Sequence, residues 1–196
     1  MPDPSHPFNH LPVSEEYLRA RTVNEVEPLS ACIRIVNYDP RWPHLYQREA
    51  ERIRSILGSR ALHIEHTGST SVLGLAAKPV IDILLVVADS AKECEYAPAL
   101  ERAGYRLHIR EPDWHEHRMF KGPDTDVNVH VFPDRCPEIE RILVFRDWLR
   151  NNESDRDLYA RTKRELAQKD WKYTQNYADA KTAVIEMIMA KALEGV

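Results

Sequence analysis

Cysteine is scarce in this chain. Cys32, Cys94 and Cys136 are odd in number and widely spaced, which argues against a disulfide framework and against a Cys-x-x-Cys zinc site, and fits a reducing compartment. Long apolar runs are missing as well: no stretch approaches the roughly 20 residues of a membrane span, and no apolar signal segment follows Met1. Glu15, Glu16, Glu25 and Glu27 stand where a mitochondrial transit peptide avoids acids, so the cytoplasm is the expected location, with no membrane partner. A broad basic surface is lacking too. The formal net charge of -4 argues against general nucleic-acid binding and leaves room only for a local basic patch. Neither repeats nor low-complexity segments occur.

What remains is the composition of an ordinary globular protein. A length of 196 residues suits one domain with appended helices. Residues 1–32 hold Pro2, Pro4, Pro7, Pro12 and Pro28 without a sustained hydrophobic period, and read as a poorly ordered extension that need not pack. The domain proper is expected over 33–196. IRIVNY alternates like a strand, and Asp39 is placed to cap the next helix. His44 to Leu57 predicts a helix ended by Gly58. Residues 61–66 predict a strand with Leu62, Ile64 and His66 on one face, which points His66 at the turn that follows. VIDILLVV is apolar and β-branched enough for a central strand covered on both sides. A helix over 90–103 and strands at YRLHI, HEHRMFK and DVNVHVF come next. From Pro137 three amphipathic helices are expected, with breaks near 151–154 and 170. The sum is an α+β fold: a sheet of about five strands with packed helices and a C-terminal helical tail.

Residues 66–85, HTGSTSVLGLAAKPVIDILL, are the most informative stretch. One carboxylate, Asp82, interrupts an otherwise apolar strand. Burying an ionised carboxylate costs several kcal/mol unless a cation, a metal or hydrogen-bond donors compensate. The Gly68-Ser69 turn offers backbone N–H groups to an anion, so the pairing suggests a site where phosphate and metal meet. On DVNVHVF, period-2 phasing puts Asp126, Asn128 and His130 on a pocket face opposite Val127, Val129 and Val131. On HEHRMFK, Arg118 and Lys121 are favoured as phosphate-side cations. His66, His117 and His130 together with Asp82 form a candidate set for a transition metal such as zinc or manganese. Duller readings stand beside these: a simple tight turn at Gly68, a structural Asp82 paired with Lys78, core histidines at 66 and 130, and solvated strand ends at 118 and 121.

The blocks IVNYDPRWPHLYQREAERIR, IEHTGSTSVLGLAAKPVIDILLVV, FRDWLRNN and LYARTKRELA resemble, in order, those of the GrpB family of the nucleotidyltransferase-like superfamily that contains DNA polymerase beta. The similarity runs from about Ile33 to Ala192. It implies a nucleotidyltransferase-like mixed sheet. It also implies transfer of a nucleoside monophosphate from a nucleoside triphosphate to an unknown hydroxyl, with a divalent metal, Mg²⁺ or Mn²⁺ with zinc as an alternative. On this reading Asp82 holds the metal, and His66 or His130 supplies a ligand or general base. Gly68, Ser69, Thr70, Ser71 and Lys78, with Arg118 and Lys121, seat the phosphates of a nucleotide or another phosphorylated small molecule. Gly68 and Ser69 match the superfamily's glycine-serine pair, and Asp82 matches the first carboxylate of its Asp-x-Asp pattern. The second carboxylate position is Leu84, which supplies no oxygen ligand. That departure keeps a second reading open, a catalytically degenerate nucleotide- or anion-binding module. Some family members are fused to dephospho-coenzyme A kinase, which points towards nucleotide or cofactor metabolism.

Overall fold

The apolar run around Asp82 becomes the middle of a sheet. In the computed structural model of the chain, which describes residues 14–29 and 31–194, the strands are β1 (His63–Thr67), β2 (Ile81–Val87), β3 (Arg106–Glu111), β4 (His117–Lys121) and β5 (Val127–Pro133). They form one five-stranded sheet in the order β1-β2-β5-β4-β3. The pair β2 and β5 is parallel and the other pairs are antiparallel. Parallel neighbours need cover on both faces, and the helices provide it.

One face carries Ile81, Ile83, Leu85, Val129, Val131 and Phe120 against α2 (Trp42–Leu57) and α3 (Ala97–Arg102). Gly58, with φ of +57°, closes α2, and Asp39 Oδ1 accepts the Arg41 N–H at 2.9 Å just before its start. The opposite face is shared. Leu84, Val86 and Phe132 lie under α4 (Pro137–Asn151), packed by Ile139, Ile142 and Leu143. Next to that patch α5 (Glu153–Ala167) and α7 (Thr182–Glu194) fold over the loop that follows the Gly-Ser turn, with Val72, Leu75, Ala76, Leu149, Tyr159 and Ile188 in contact. A short α6 (Thr174–Asp179) lies between them. Among the described residues, no helix is long and apolar enough to cross a membrane.

Four expectations change. The last of the three tail helices expected after Pro137 divides at residues 180–181 into α6 and α7. Residues 33–38 make only an isolated bridge, Val36 to Ala77, because Ile33 packs on Leu166 and Tyr177 and Ile35 joins the helical clusters instead of extending the sheet. The segment 90–103 splits into a single tight turn at Glu93–Glu95 and the short α3; Pro98 sits in the first turn of α3, where its missing N–H is tolerated only at a helix start. The N-terminal extension also packs over its described part. Ser14 accepts the Tyr17 N–H at 3.1 Å and caps α1 (Glu15–Arg21). Thr22 then bridges Ile109 on the edge strand β3, and the Leu29 N–H donates to the Lys172 carbonyl at 2.9 Å. Residues 1–13 lie outside the described part.

Candidate functional site

β1 ends at Thr67, directly across from Asp82 in the antiparallel register, so the Gly-Ser turn is delivered onto the carboxylate. Gly68 has φ of +64°, and a Cβ there would collide with Asp82 Oδ2 and stand 3.0 Å from Asp82 Cβ. Only glycine permits both the turn and that approach. Thr67 Oγ1 donates to the Asp82 carbonyl at 3.2 Å, which ties the turn to β2.

The carboxylate is held at one oxygen. Asn128, its neighbour on β5, donates Nδ2 to Asp82 Oδ1 at 2.9 Å and accepts Lys121 Nζ on its own Oδ1 at 2.6 Å. His130 Nε2 stands 3.7 Å from the same Oδ1. Oδ2 receives no donor from the described residues. Burial pushes the Asp82 carboxyl up, but the His130 imidazole, the Asn128 amide and the charge of Lys181 outweigh it and leave it below the ordinary carboxylate value. Asp82 lines a cleft of about 1070 Å³ together with Gly68, Ser69, Lys78, Lys121 and His130.

The C-terminal tail contributes two further cations, Lys163 on α5 and Lys181 between α6 and α7. Lys163 is 2% exposed. It donates Nζ to Ser69 Oγ at 2.7 Å and to the Ala76 carbonyl at 2.6 Å, with its ammonium 4.6 Å from the Tyr159 ring centre. Burial, then the neighbouring charges of Lys181 and Arg164, holds it well below the usual lysine value. Lys121 and Lys181 are lowered by burial as well, with Lys78 adding to both. The cleft wall carries Lys78, Lys121, Lys163 and Lys181 with Arg106, Arg141 and Arg146, against Asp82, Asp126, Glu25, Glu27 and Glu138, a cationic excess that suits an anion.

The sequence-derived site residues divide. Asp82, Gly68, Ser69, Lys78, Lys121 and His130 meet at the cleft, and Asp82 is tied to Asn128 in place of the alternative partner Lys78. Thr70 reaches the wall, but its hydroxyl donates to the Val80 carbonyl at 3.1 Å. Ser71 Oγ donates back to the Gly68 carbonyl at 2.6 Å, so that hydroxyl serves the turn itself. Arg118 is corrected outright. It alternates with Lys121 on β4 and so faces the α3 side, where Nε donates to Glu93 at 2.6 Å and Nη2 lies 3.3 Å from Glu116. His66 also falls on the other face: it pairs with Ile83, stacks on Tyr46 at 4.6 Å and hydrogen-bonds Thr70 at 3.1 Å. His117 has both ring nitrogens engaged, with Glu111 at 2.7 Å and His130 at 3.1 Å. The four-member metal set therefore contracts to Asp82 and His130. Among the described residues no three His, Cys, Asp or Glu side chains form a metal-binding group. One carboxylate oxygen and one imidazole nitrogen side by side suit a divalent ion whose remaining ligands are water and phosphate oxygens.

Sequence reasoning missed Lys163, although a signal was there. Tyr159, Lys163 and Leu166 share the buried stripe of α5, and a lysine inside an apolar stripe needs an acceptor at its tip. Lys181 sits between two helices and carries no such mark.

Comparisons with known proteins agree with this architecture. The family model described as GrpB protein matches residues 32–191. A UPF0157 protein of Halalkalibacterium halodurans is 59% identical over 192 residues, covering 98% of each chain. Another from Streptomyces coelicolor is 44% identical over 165 residues, 84% of this chain and 87% of that one. A dephospho-CoA kinase of Mycolicibacterium paratuberculosis is 33% identical over 165 residues, covering 71% of this chain and 40% of its own length. The crystal structure of the conserved protein GrpB from Enterococcus faecalis superposes with a TM-score of 0.71 at 32% identity, over 83% of this chain and 98% of that one. With a family match across most of its length, and with the sheet, turn and helical tail described above, the chain belongs to the GrpB family.

Proposed function

We propose that the cleft binds the polyphosphate of a nucleotide together with one divalent cation, and that it serves transfer of a nucleoside monophosphate from a nucleoside triphosphate to a hydroxyl. One observation carries this reading: Asp82, with one oxygen that takes no donor from the described residues, lies under a glycine turn in a cleft it shares with Lys78, Lys121, Lys163 and Lys181. Asp82 and His130 would hold the cation. When bound, it would draw charge from the phosphate oxygens and acidify the attacking hydroxyl. The chain's own groups do the rest. Backbone N–H groups of the Gly-Ser turn and the lysine ammonium groups orient the phosphates by charge-assisted hydrogen bonds. Lys163 braces Ser69 from below, and Asn128 holds Asp82 in one rotamer. The acceptor oxygen bonds to the α-phosphorus, the bond from that phosphorus to the β-phosphate oxygen breaks, pyrophosphate leaves, and the hydroxyl proton passes to solvent.

A second reading, nucleotide binding without turnover, is favoured by Leu84. It is 1% exposed and packed on Phe132 and Val86, so the strand offers no second carboxylate to a second metal. Incubation with an α-labelled nucleoside triphosphate in Mg²⁺ or Mn²⁺ separates the two. Pyrophosphate release that Asp82→Asn abolishes supports transfer. Tight binding without any release, weakened in that variant, leaves the binding module.

A further inference from the structure

One side of the cleft is walled by a segment that the mechanism above leaves unused. Residues 14–29 lie outside the stretch matched by the family model, yet they run out along the cleft and back again. α1 starts at the tail, where Glu15 Oε2 lies 2.6 Å from Lys172 Nζ, and ends at the edge strand β3, where Thr22 bridges Ile109. The chain then returns. The Val23 N–H donates to the His108 carbonyl at 2.9 Å, and the Leu29 N–H donates to the Lys172 carbonyl at 2.9 Å. Both ends of the segment therefore meet at Lys172, with β3 as the point of reversal. Between the two backbone anchors, residues 24–29 line the cleft.

Chain length and side chains hold the return path down. Six extended residues reach at most roughly 20 Å, so the path from Val23 to Leu29 cannot bow far from the walls it joins. Leu29 packs with Ile33, Leu166 and Tyr177, and Pro28 has its φ fixed by its own ring. At the other end Arg21 stands 3.8 Å from Glu111 and 3.6 Å from Asp113. This cover lays acid over a cationic interior. Glu25 and Glu27 are exposed on the return path and line the cleft, and the charge of Glu27 acts on His108 of β3. The lysines and arginines beneath would otherwise suit the backbone of a nucleic-acid strand. To reach them, a strand must thread under a segment tethered at both ends and pass two like charges, whereas a small molecule need not. There is room for one: about 1070 Å³ exceeds the roughly 300–1,000 Å³ that serves a single small ligand.

We infer that residues 14–29 are a cover that confines the acceptor end of the cleft, and that the hydroxyl acceptor is a small molecule enclosed beneath it and not the end of a nucleic-acid strand. This rests on the nucleotide placed in the cleft under the proposed function. The cover depends on Val23 and Leu29, each of which supplies the N–H of one anchor.

Val23→Pro tests the cover in the full chain. It deletes the N–H that bonds His108, and the preceding Thr22 is already extended, with φ of −83° and ψ of 123°, as a residue before proline must be. Val23→Ala keeps the N–H and is the control. Leu29→Asp, which sets a charge against Leu166 and Tyr177, loosens the other anchor and serves where the first variant does not fold. Two probes are titrated in Mn²⁺: a non-hydrolysable nucleoside triphosphate, and a fluorescent single-stranded oligonucleotide with a free terminal hydroxyl. In the wild type and Val23→Ala the nucleotide is expected to bind while the polarisation of the oligonucleotide stays flat. In Val23→Pro and Leu29→Asp oligonucleotide binding is expected to appear, at least roughly tenfold above any affinity of the wild type, as uncovered cations neutralise phosphates. With α-labelled nucleoside triphosphate the wild type should leave the strand unlabelled. A wild type that binds or labels the oligonucleotide as readily as the loosened variants, or folded loosened variants that still ignore it, would overturn the inference. A wild type that binds neither probe, beside variants that bind the strand, would leave the cover standing and sink the nucleotide of the proposed function.

Discussion

Asp82 and Leu84 belong to one strand and one face of the sheet, yet they live in opposite surroundings. Asp82 lies under the Gly-Ser turn with Asn128 beside it and lysines above. Leu84, two positions on, lies beside His130 in register but is closed over by α4 with Phe132 and Cys136. The strand is the same, and the roof differs. Over the first position the tail helices stand back and leave the cleft open; Leu84 borders the same cleft, but Ile139, Ile142 and Leu143 pack on it and leave it 1% exposed. A carboxylate is tolerable at one and not at the other, which gives a packing reason for the missing second acid.

The sharpest way to break that contrast is Leu84→Asp, which restores the two-carboxylate pattern. It places a charge among apolar groups, so a loss of at least ~3 kcal/mol is expected in urea unfolding, with no gain of pyrophosphate release. A stable variant that turns over nucleotide faster would overthrow the account of the dry patch. Asp82→Ala is expected to do the reverse. Saturating nucleotide and Mn²⁺, at about 100 times the dissociation constant, should stabilise the wild type by about 2.7 kcal/mol, and this gain should vanish in the variant. Its apo stability should change by less than about 1 kcal/mol, because the residue meets solvent on its free side. A large apo loss with the ligand shift intact would make Asp82 structural.

Protonation probes the groups behind the site. Burial holds both His66 and His117 at a pKa of about 4 against an ordinary 6.5. The unfolded chain therefore binds more protons between those values, so stability is full above about 6.5 and is lost as pH falls towards about 4. The loss is about 3 kcal/mol for each ring. Unfolding free energies across that range should slope less in His66→Gln, and an unchanged slope would reject the assignment. The smallest effects compare two cations of β4. Lys121→Met should weaken nucleotide binding by about 1 kcal/mol, whereas Arg118→Met should leave binding within about twofold and cost stability instead, since it strips a partner from Glu93. Equal binding losses would place both at the cleft.

Much of the fold was legible because periodicity reports burial. The alternation in DVNVHVF separated Asn128 and His130 from Val127, Val129 and Val131, and the structure keeps that division. The same rule places Arg118 and Lys121, three positions apart on β4, on opposite faces, so only one of them can face the cleft. The alternation of Leu62, Ile64 and His66 aims His66 at the turn, and it does reach Thr70. What a single strand could not reveal is which face of the sheet the carboxylate occupies relative to it, because that depends on the register with β2. The strand expected at 33–38 failed for a related reason: alternation marks apolar residues without naming their partner, and here the partners were helices. Pro28 and its neighbours suggested an unpacked extension, but Leu29 found a helical surface far along the chain.

By itself the sequence determined the central strand, the glycine that lets a turn lie on Asp82, and the lone acid that demanded a polar environment. These follow from local sterics and from the cost of burying charge, which act on neighbours in the chain. Tertiary structure alone decided that Lys163 and Lys181 come from the tail to surround that acid, that α4 dries out the position two residues further on, and that Glu111 reaches His130 through His117. Those outcomes depend on how distant elements dock. Docking is set by the summed packing of whole faces, and no short spacing along the chain encodes it.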